Sequence, residues 1–280
     1  MAKPKRLDPS ASPRAMLGAE LRHQREKAGL SQDELGLKLF VSGSFIGQLE
    51  AGIRRLLPEY AQKIDEIFKT DGYFTRNCEA AARSKYPDHF AEVAELETQA
   101  TSIKQYSPSL IPGLLQSEGY ARAVFRGGHP TAPDSIIDEL VVNRIERAWL
   151  LDNPTTPMLW AVLDEAVLRR KVGGPGAMAE ALRHIAALAR RRRIIVQVLP
   201  FSVGAHTAIE GSLKLMAFTD APPLAYVDGM GSGQLLDDPA TVSQYGLSYD
   251  LLAASALSPE ASLALIEEAA EAFTDEDQQE

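Results

Sequence analysis

Four residues between positions 43 and 48 have types and spacing suited to meeting a polar partner. Gly43, Ser44, Gly47 and Gln48, at offsets of one, four and five residues, share one side of a helix and are expected to point outward. A carboxamide such as that of Gln48 bonds an acceptor and a donor set side by side, which is the pattern on the major-groove edge of adenine. The Ser44 hydroxyl can bond several base edges or a phosphate. Two glycines in so short a helix cost about 1 kcal/mol each relative to alanine, a penalty that makes sense where the backbone approaches a partner surface. The chemistry is therefore base-edge hydrogen bonding, with no covalent step and no cofactor.

The surrounding residues predict the elements that hold this face. Ser31 and Glu34 in SQDE form a capping box, which starts a helix that places Leu35 and Leu39 on one face. Ser42 is a second candidate cap. Ile46 and Leu49 repeat at helical spacing behind it, with Phe45 beside them, and Gly52 supplies the stop. A first helix is predicted from about Pro13, capped by Ser12, to Ala28, burying Leu17 and Leu21. Another opens at Pro58 and carries Ala61, Ile64, Ile67 and Phe68 before Gly72.

The run from Gly29 to Gly52, GLSQDELGLKLFVSGSFIGQLEAG, resembles the helix-turn-helix of lambda-repressor-like, Xre-type bacterial and phage regulators. The resemblance implies an all-α DNA-binding domain in which Gln32 grips a phosphate and Arg54 and Arg55 contact phosphates just past the reading helix. It also implies a buried structural ion pair between Arg25 and Glu50. The candidate DNA contacts are thus Gln32, Ser42, Gly43, Ser44, Gly47, Gln48, Arg54 and Arg55. The turn in that family often holds glycine where this chain has Phe40; a positive φ there means strain.

Charge and length agree with a two-part protein. The first 76 residues carry 13 Lys and Arg against 10 Asp and Glu, whereas the whole chain of 280 residues has a net charge of −9. The basic part is the part with the motif, as phosphate binding requires. The expected organisation is a flexible arm at 1–12, a helix-turn-helix domain at 13–76, a helical connector at 77–99 broken at Pro87, an α+β domain with a small mixed sheet at 100–273, and a solvated acidic tail at 274–280. Helices are expected at Leu114–Phe125, Ile136–Leu151, Ala177–Arg193, Val242–Ala254 and Pro259–Phe273. Strand signals appear only after Pro157, at Met158–Leu163, Ile194–Leu199, Leu213–Phe218 and Leu224–Val227. The first two strands, with a helix between them, predict a parallel pair joined by a crossover.

This second part, through QYSPSLIPGLLQSEGYARAVF, LDEAVLRRKVGG and VQVLPFSVGAHTAIEGSLKLMAF, resembles the C-terminal domain behind Xre-type readers in actinomycete regulators, some of them antitoxin-like. The resemblance implies a small protein partner encoded nearby. Catalysis is not expected. Ser202, His206 and Asp228 are the right types for a triad, but no nucleophile elbow surrounds Ser202. His206 and Glu210 lie in a glycine-bounded loop, where that spacing gathers no metal. The stretch GMGSG at 229–233 reads as a turn between strands, and Arg190 to Arg193 complement a helix C-terminus.

Cys78, the sole cysteine, excludes an internal disulfide and fits a reducing cytoplasm, with nucleoid association. No apolar run suggests a membrane. The expected function is a homodimeric transcription regulator that binds a near-palindromic operator in double-stranded DNA and receives a protein partner through its second domain. The alternative is a small-molecule sensor with Trp160, Phe201, Phe218 and Tyr226 lining a pocket.

Overall fold

Five helices follow one another at the start of the chain because each apolar stripe ends in a cap or a left-handed residue. In the computed structural model, which describes residues 13–78 and 88–279, they are α1 (Pro13–Lys27), α2 (Gln32–Leu39), α3 (Gly43–Glu50), α4 (Pro58–Phe68) and α5 (Tyr73–Cys78). The arm at 1–12, the Ser12 cap and the Pro87 break lie outside the described residues. Leu17, Leu21, Leu35, Leu39, Ile46, Leu49, Ala61, Ile64 and Phe74 form one core, with Cys78 buried in it. Asp65 ties α4 to α5: it accepts from the N–H groups of Phe74 (3.0 Å) and Thr75 (2.9 Å) and from the hydroxyls of Thr70 and Thr75. Desolvation pushes the Asp65 carboxyl up, but these four bonds together outweigh it and hold the group below its ordinary value.

Beyond α6 (Asp88–Gln99) the chain is mixed. The strands are β1 (Ser102–Ser107), β2 (Met158–Asp164), β3 (Ile194–Leu199), β4 (Leu213–Ala217), β5 (Leu224–Gly229) and β6 (Ser232–Leu236), and they form a six-stranded mixed sheet in the order β3-β2-β1-β4-β5-β6. The helices are α7 (Glu118–Gly128), α8 (Asp134–Ala148), α9 (Glu165–Arg169), α10 (Gly174–Arg190), α11 (Pro239–Ser255) and α12 (Pro259–Asp277). As the sequence predicts, β2 and β3 are parallel, with α10 in the connection between them.

Two expectations are overturned. The first is that strands begin only after Pro157: β1 lies earlier and pairs in parallel with β2, Ile103 opposite Leu159 and Tyr106 opposite Val162. Its sequence SIKQYS has no apolar run, and it becomes a strand because neighbours bury Ile103 and Tyr106. The second is the end of the last helix: α12 continues past Phe273 to Asp277, its acidic residues Asp275 and Asp277 exposed and Glu276 paired with Lys171.

By compactness the chain divides into two units. One contains the residues up to Ala100 together with Met216–Tyr226 and Gly233–Ser243. The other contains Thr101–Leu215, Val227–Ser232 and Gln244–Glu280.

Candidate nucleic-acid interface

The two motif helices start where their caps dictate. At α2 the Ser31 hydroxyl accepts from the Glu34 N–H while the Glu34 carboxylate accepts from the Ser31 N–H at 2.7 Å, and these bonds from Ser31 hold the Glu34 carboxyl below its usual range. At α3 the Ser42 hydroxyl accepts from the Phe45 N–H at 3.0 Å. The turn between them passes through Phe40 at φ 62° and ψ 40°, left-handed backbone that a bulky residue adopts only at a cost. The Phe40 ring finds little packing in return, at 88% exposure.

The inner end of α3 is anchored by Glu50, which is wholly buried. The Arg25 guanidinium engages it through two nitrogens, the second at 3.0 Å, and also donates to the Leu30 carbonyl at 2.8 Å. The hydrogen bond to Glu50 raises the already high pKa of Arg25. Gln32 donates to the same carboxylate at 2.9 Å, and Arg22, which sequence reasoning missed, lies 3.6 Å away. Gln32 is therefore tied to the ion pair in this structure, its amide only half-buried.

The outer side of α3 differs from the sequence expectation. Gly43 and Gly47 do not border open space: a side chain on Gly43 would strike Asp33, and one on Gly47 would meet the Gln32 amide at 3.2 Å. The two glycines are explained by the close seating of α2 side chains on α3. Gln48, expected to point outward, is wholly buried, and neither its Oε1 nor its Nε2 makes a hydrogen bond; the Ser44 hydroxyl is likewise buried and unpaired. The Ser42 cap and the first two residues of α3, Gly43 and Ser44, stay partly exposed.

Arg54 and Arg55 are also engaged within this unit. Arg54 donates to Glu92 on α6 at 3.2 Å and to Asp237 at 3.0 Å, and lies 4.7 Å over the Phe45 ring; the Arg55 N–H bonds Glu92 at 3.1 Å. Glu92 and Asp237 are far from the motif in sequence, and no local pattern marks them.

The other singled-out residues are not brought together as a catalytic or aromatic site. His206 Nε2 is 3.3 Å from the Tyr106 hydroxyl, which donates to Asp164 at 3.2 Å, while Asp228 takes a bond from Ser212. Burial, with help from Asp164, pushes the Tyr106 hydroxyl pKa well up, so it stays a neutral donor. Trp160 donates to Gln197 and meets the Tyr249 ring, Phe201 is exposed, and Tyr226 faces Phe90. Among the described residues no cluster of His, Cys, Asp and Glu could hold a metal, and no helix is long and apolar enough to cross a membrane. The second unit instead contains a cavity of about 560 Å³, whose walls come from α7, α8, α10 and the turns beside them.

A capped pair of helices with a three-residue turn, a buried carboxylate at the end of the second, and flanking helices closing one core define a helix-turn-helix DNA-binding domain. The family model of that description matches residues 16–73. The chain as a whole belongs to the family that carries the domain of unknown function DUF5753, which matches residues 90–268. No curated protein and no solved structure matches the chain.

Proposed function

We propose that the protein is a sequence-specific transcription regulator that reads double-stranded DNA as a homodimer, with α3 as the reading helix. The observation that carries this is the Ser42-capped start of α3, where Ser42, Gly43 and Ser44 stay partly exposed at the end of the helix that this motif directs at base edges. Gln32 stands beside them as a phosphate contact. Two copies reading half-sites about one helical turn apart make the operator near-palindromic. In the DNA-bound form the Arg54 guanidinium, released from Glu92 and Asp237, reaches phosphate with Arg55 beside it, while Gln48 and Gly47 are the base-edge contacts of the same helix. A small protein partner bound through the larger unit is the role the family resemblance implies, and a stoichiometric companion on native co-purification is its check.

Sequencing genomic fragments bound by the purified protein tests the reading. The expected result is one enriched, near-symmetric site. Paired Glu92→Gln and Asp237→Asn substitutions are expected to raise affinity for all duplexes alike, because they free phosphate-binding charge rather than base readers. No preference for any sequence over bulk competitor at moderate salt would remove the assignment.

The cavity favours a second reading of the larger unit, as a small-molecule sensor: its volume falls within the range of ligand sites. Thermal shift against a metabolite panel reads it, since a ligand that binds the folded state raises the melting temperature.

A further inference from the structure

We propose that the cavity takes an amphipathic small molecule with an apolar body and a protonated amine at one end. This rests on the sensor reading of the larger unit and adds the chemical class.

The apolar part of the wall comes from Leu114, Ile145, Leu151 and Leu188, with Trp149 lining the cavity while 62% exposed. The polar part gathers at the start of α7. Ser117 occupies the N-cap position there, is 8% exposed, and its hydroxyl makes no hydrogen bond. This is unlike Ser31, Ser42 and Ser258, each of which accepts from a backbone N–H of its helix. A buried hydroxyl left unmade is costly, and Ser117, which lines the cavity without capping its helix, has a hydrogen bond to give once an occupant draws its side chain out of cover.

Glu180 on α10 reaches the same place. Its Oε2 lies 3.4 Å from the point a side chain on Gly119 would occupy, so the carboxylate covers the first turn of α7. Around the cavity Glu118, Asp152 and Glu180 stand against Arg183 and His184. Arg183 is turned to the Thr274 hydroxyl at 3.0 Å, and Arg122 takes one oxygen of Glu118 at 3.2 Å. His184 keeps an exposed edge, yet desolvation on its inner side lowers its pKa, which leaves the imidazole neutral above pH 7. Glu180 thus faces the cavity beside a neutral ring.

An ammonium group donates three hydrogen bonds and accepts none. It matches the Ser117 oxygen and the Glu180 carboxylate together, while the apolar wall takes the body of the molecule. A carboxylate ligand would meet three acids. The positive end of α7 does not reverse this, because Glu118 and Glu180 already occupy its field.

The test titrates the full chain at pH 7.5 with 4-phenylbutylamine, 4-phenylbutanol and 4-phenylbutyrate, three probes of one skeleton, by calorimetry and by the change in Trp149 emission. The amine is expected to bind at least tenfold more tightly than the alcohol, and the carboxylate more weakly than either. Glu180→Gln, at an exposed position, is expected to melt like the parent and bring the amine within about threefold of the alcohol. Ser117→Ala is expected to weaken the amine severalfold. An amine no tighter than the alcohol overturns the proposed class and leaves the sensor reading standing. A preference for the carboxylate, or no binding of any probe, also overturns it.

Discussion

Glu50 and Gln48 stand two residues apart on one helix, both shut off from water, and they are treated in opposite ways. Glu50 is met by Arg25 and Gln32 with Arg22 close by, so its charge is paired and most of its oxygen valence used. Gln48 carries a donor and an acceptor with no partner for either, and Ser44 beside it is the same. A paired buried group holds a fold together; an unpaired one costs about 1–3 kcal/mol and has that much to recover when a partner arrives. The inner end of α3 is thus organised for stability, whereas Gln48 and Ser44 hold hydrogen-bonding capacity that the fold leaves unused.

The contrast can be broken from its strong side. Arg25→Ala leaves a buried carboxylate with only amide and distant guanidinium help, and a loss of about 3–5 kcal/mol is expected in urea melts followed on the helical unit. An unchanged melting curve would show that the pair does not hold α3.

Asp65 is a second satisfied buried acid and sharpens the same side. Its folded pKa lies below its ordinary 3.8, so its contribution is fully present above the unfolded value and is lost as pH falls through the folded one. Asp65→Asn is expected to cost about 2 kcal/mol at pH 7 and to remove part of the stability loss that sets in as pH falls below the ordinary carboxylate range. Parallel acid titrations of parent and variant would contradict this.

The weak side predicts the opposite sign. Gln48→Met keeps the volume and deletes the unmade bonds, so a gain of about 1 kcal/mol in stability is expected, together with weaker discrimination at one operator base. A loss of stability would mean that the amide is bonded in solution. Smallest of all, Phe40→Gly relieves a left-handed backbone at an exposed site. A gain of up to about 1 kcal/mol is expected, reduced by the greater freedom of glycine in the unfolded chain.

The motif was legible because its signals are local. Ser31 with Glu34 and Ser42 with Phe45 are caps three residues long, and the positive φ at Phe40 was signalled by the glycine that the resembling family often holds in that turn. The core residues Leu35, Leu39, Ile46 and Leu49 follow from helical period alone. The outward side of α3 was misread for the same reason. Period shows which residues share a face, and says nothing of Asp33 and Gln32 seated on the glycines or of Glu92 and Asp237 holding Arg54. In the larger part, β2 to β5 announced themselves by apolar runs, whereas β1 did not. Its polar sequence is a strand because of what pairs with it.

By itself the sequence determined where the helices of the reader begin and end, the membership of its apolar core, and the parallel pairing of β2 with β3, while the partnership of Arg25 with Glu50 came from the family resemblance. The first three depend on caps and periods spanning a few residues, or on the strand–helix–strand order of the chain. Only the tertiary structure decided that Gln48 is buried without a partner, that Arg54 is held by acids 38 and 183 residues away, and that Ser117 and Glu180 meet at one cavity. Burial and long-range pairing depend on which surfaces the packed chain brings together, and that information is spread over the whole polypeptide.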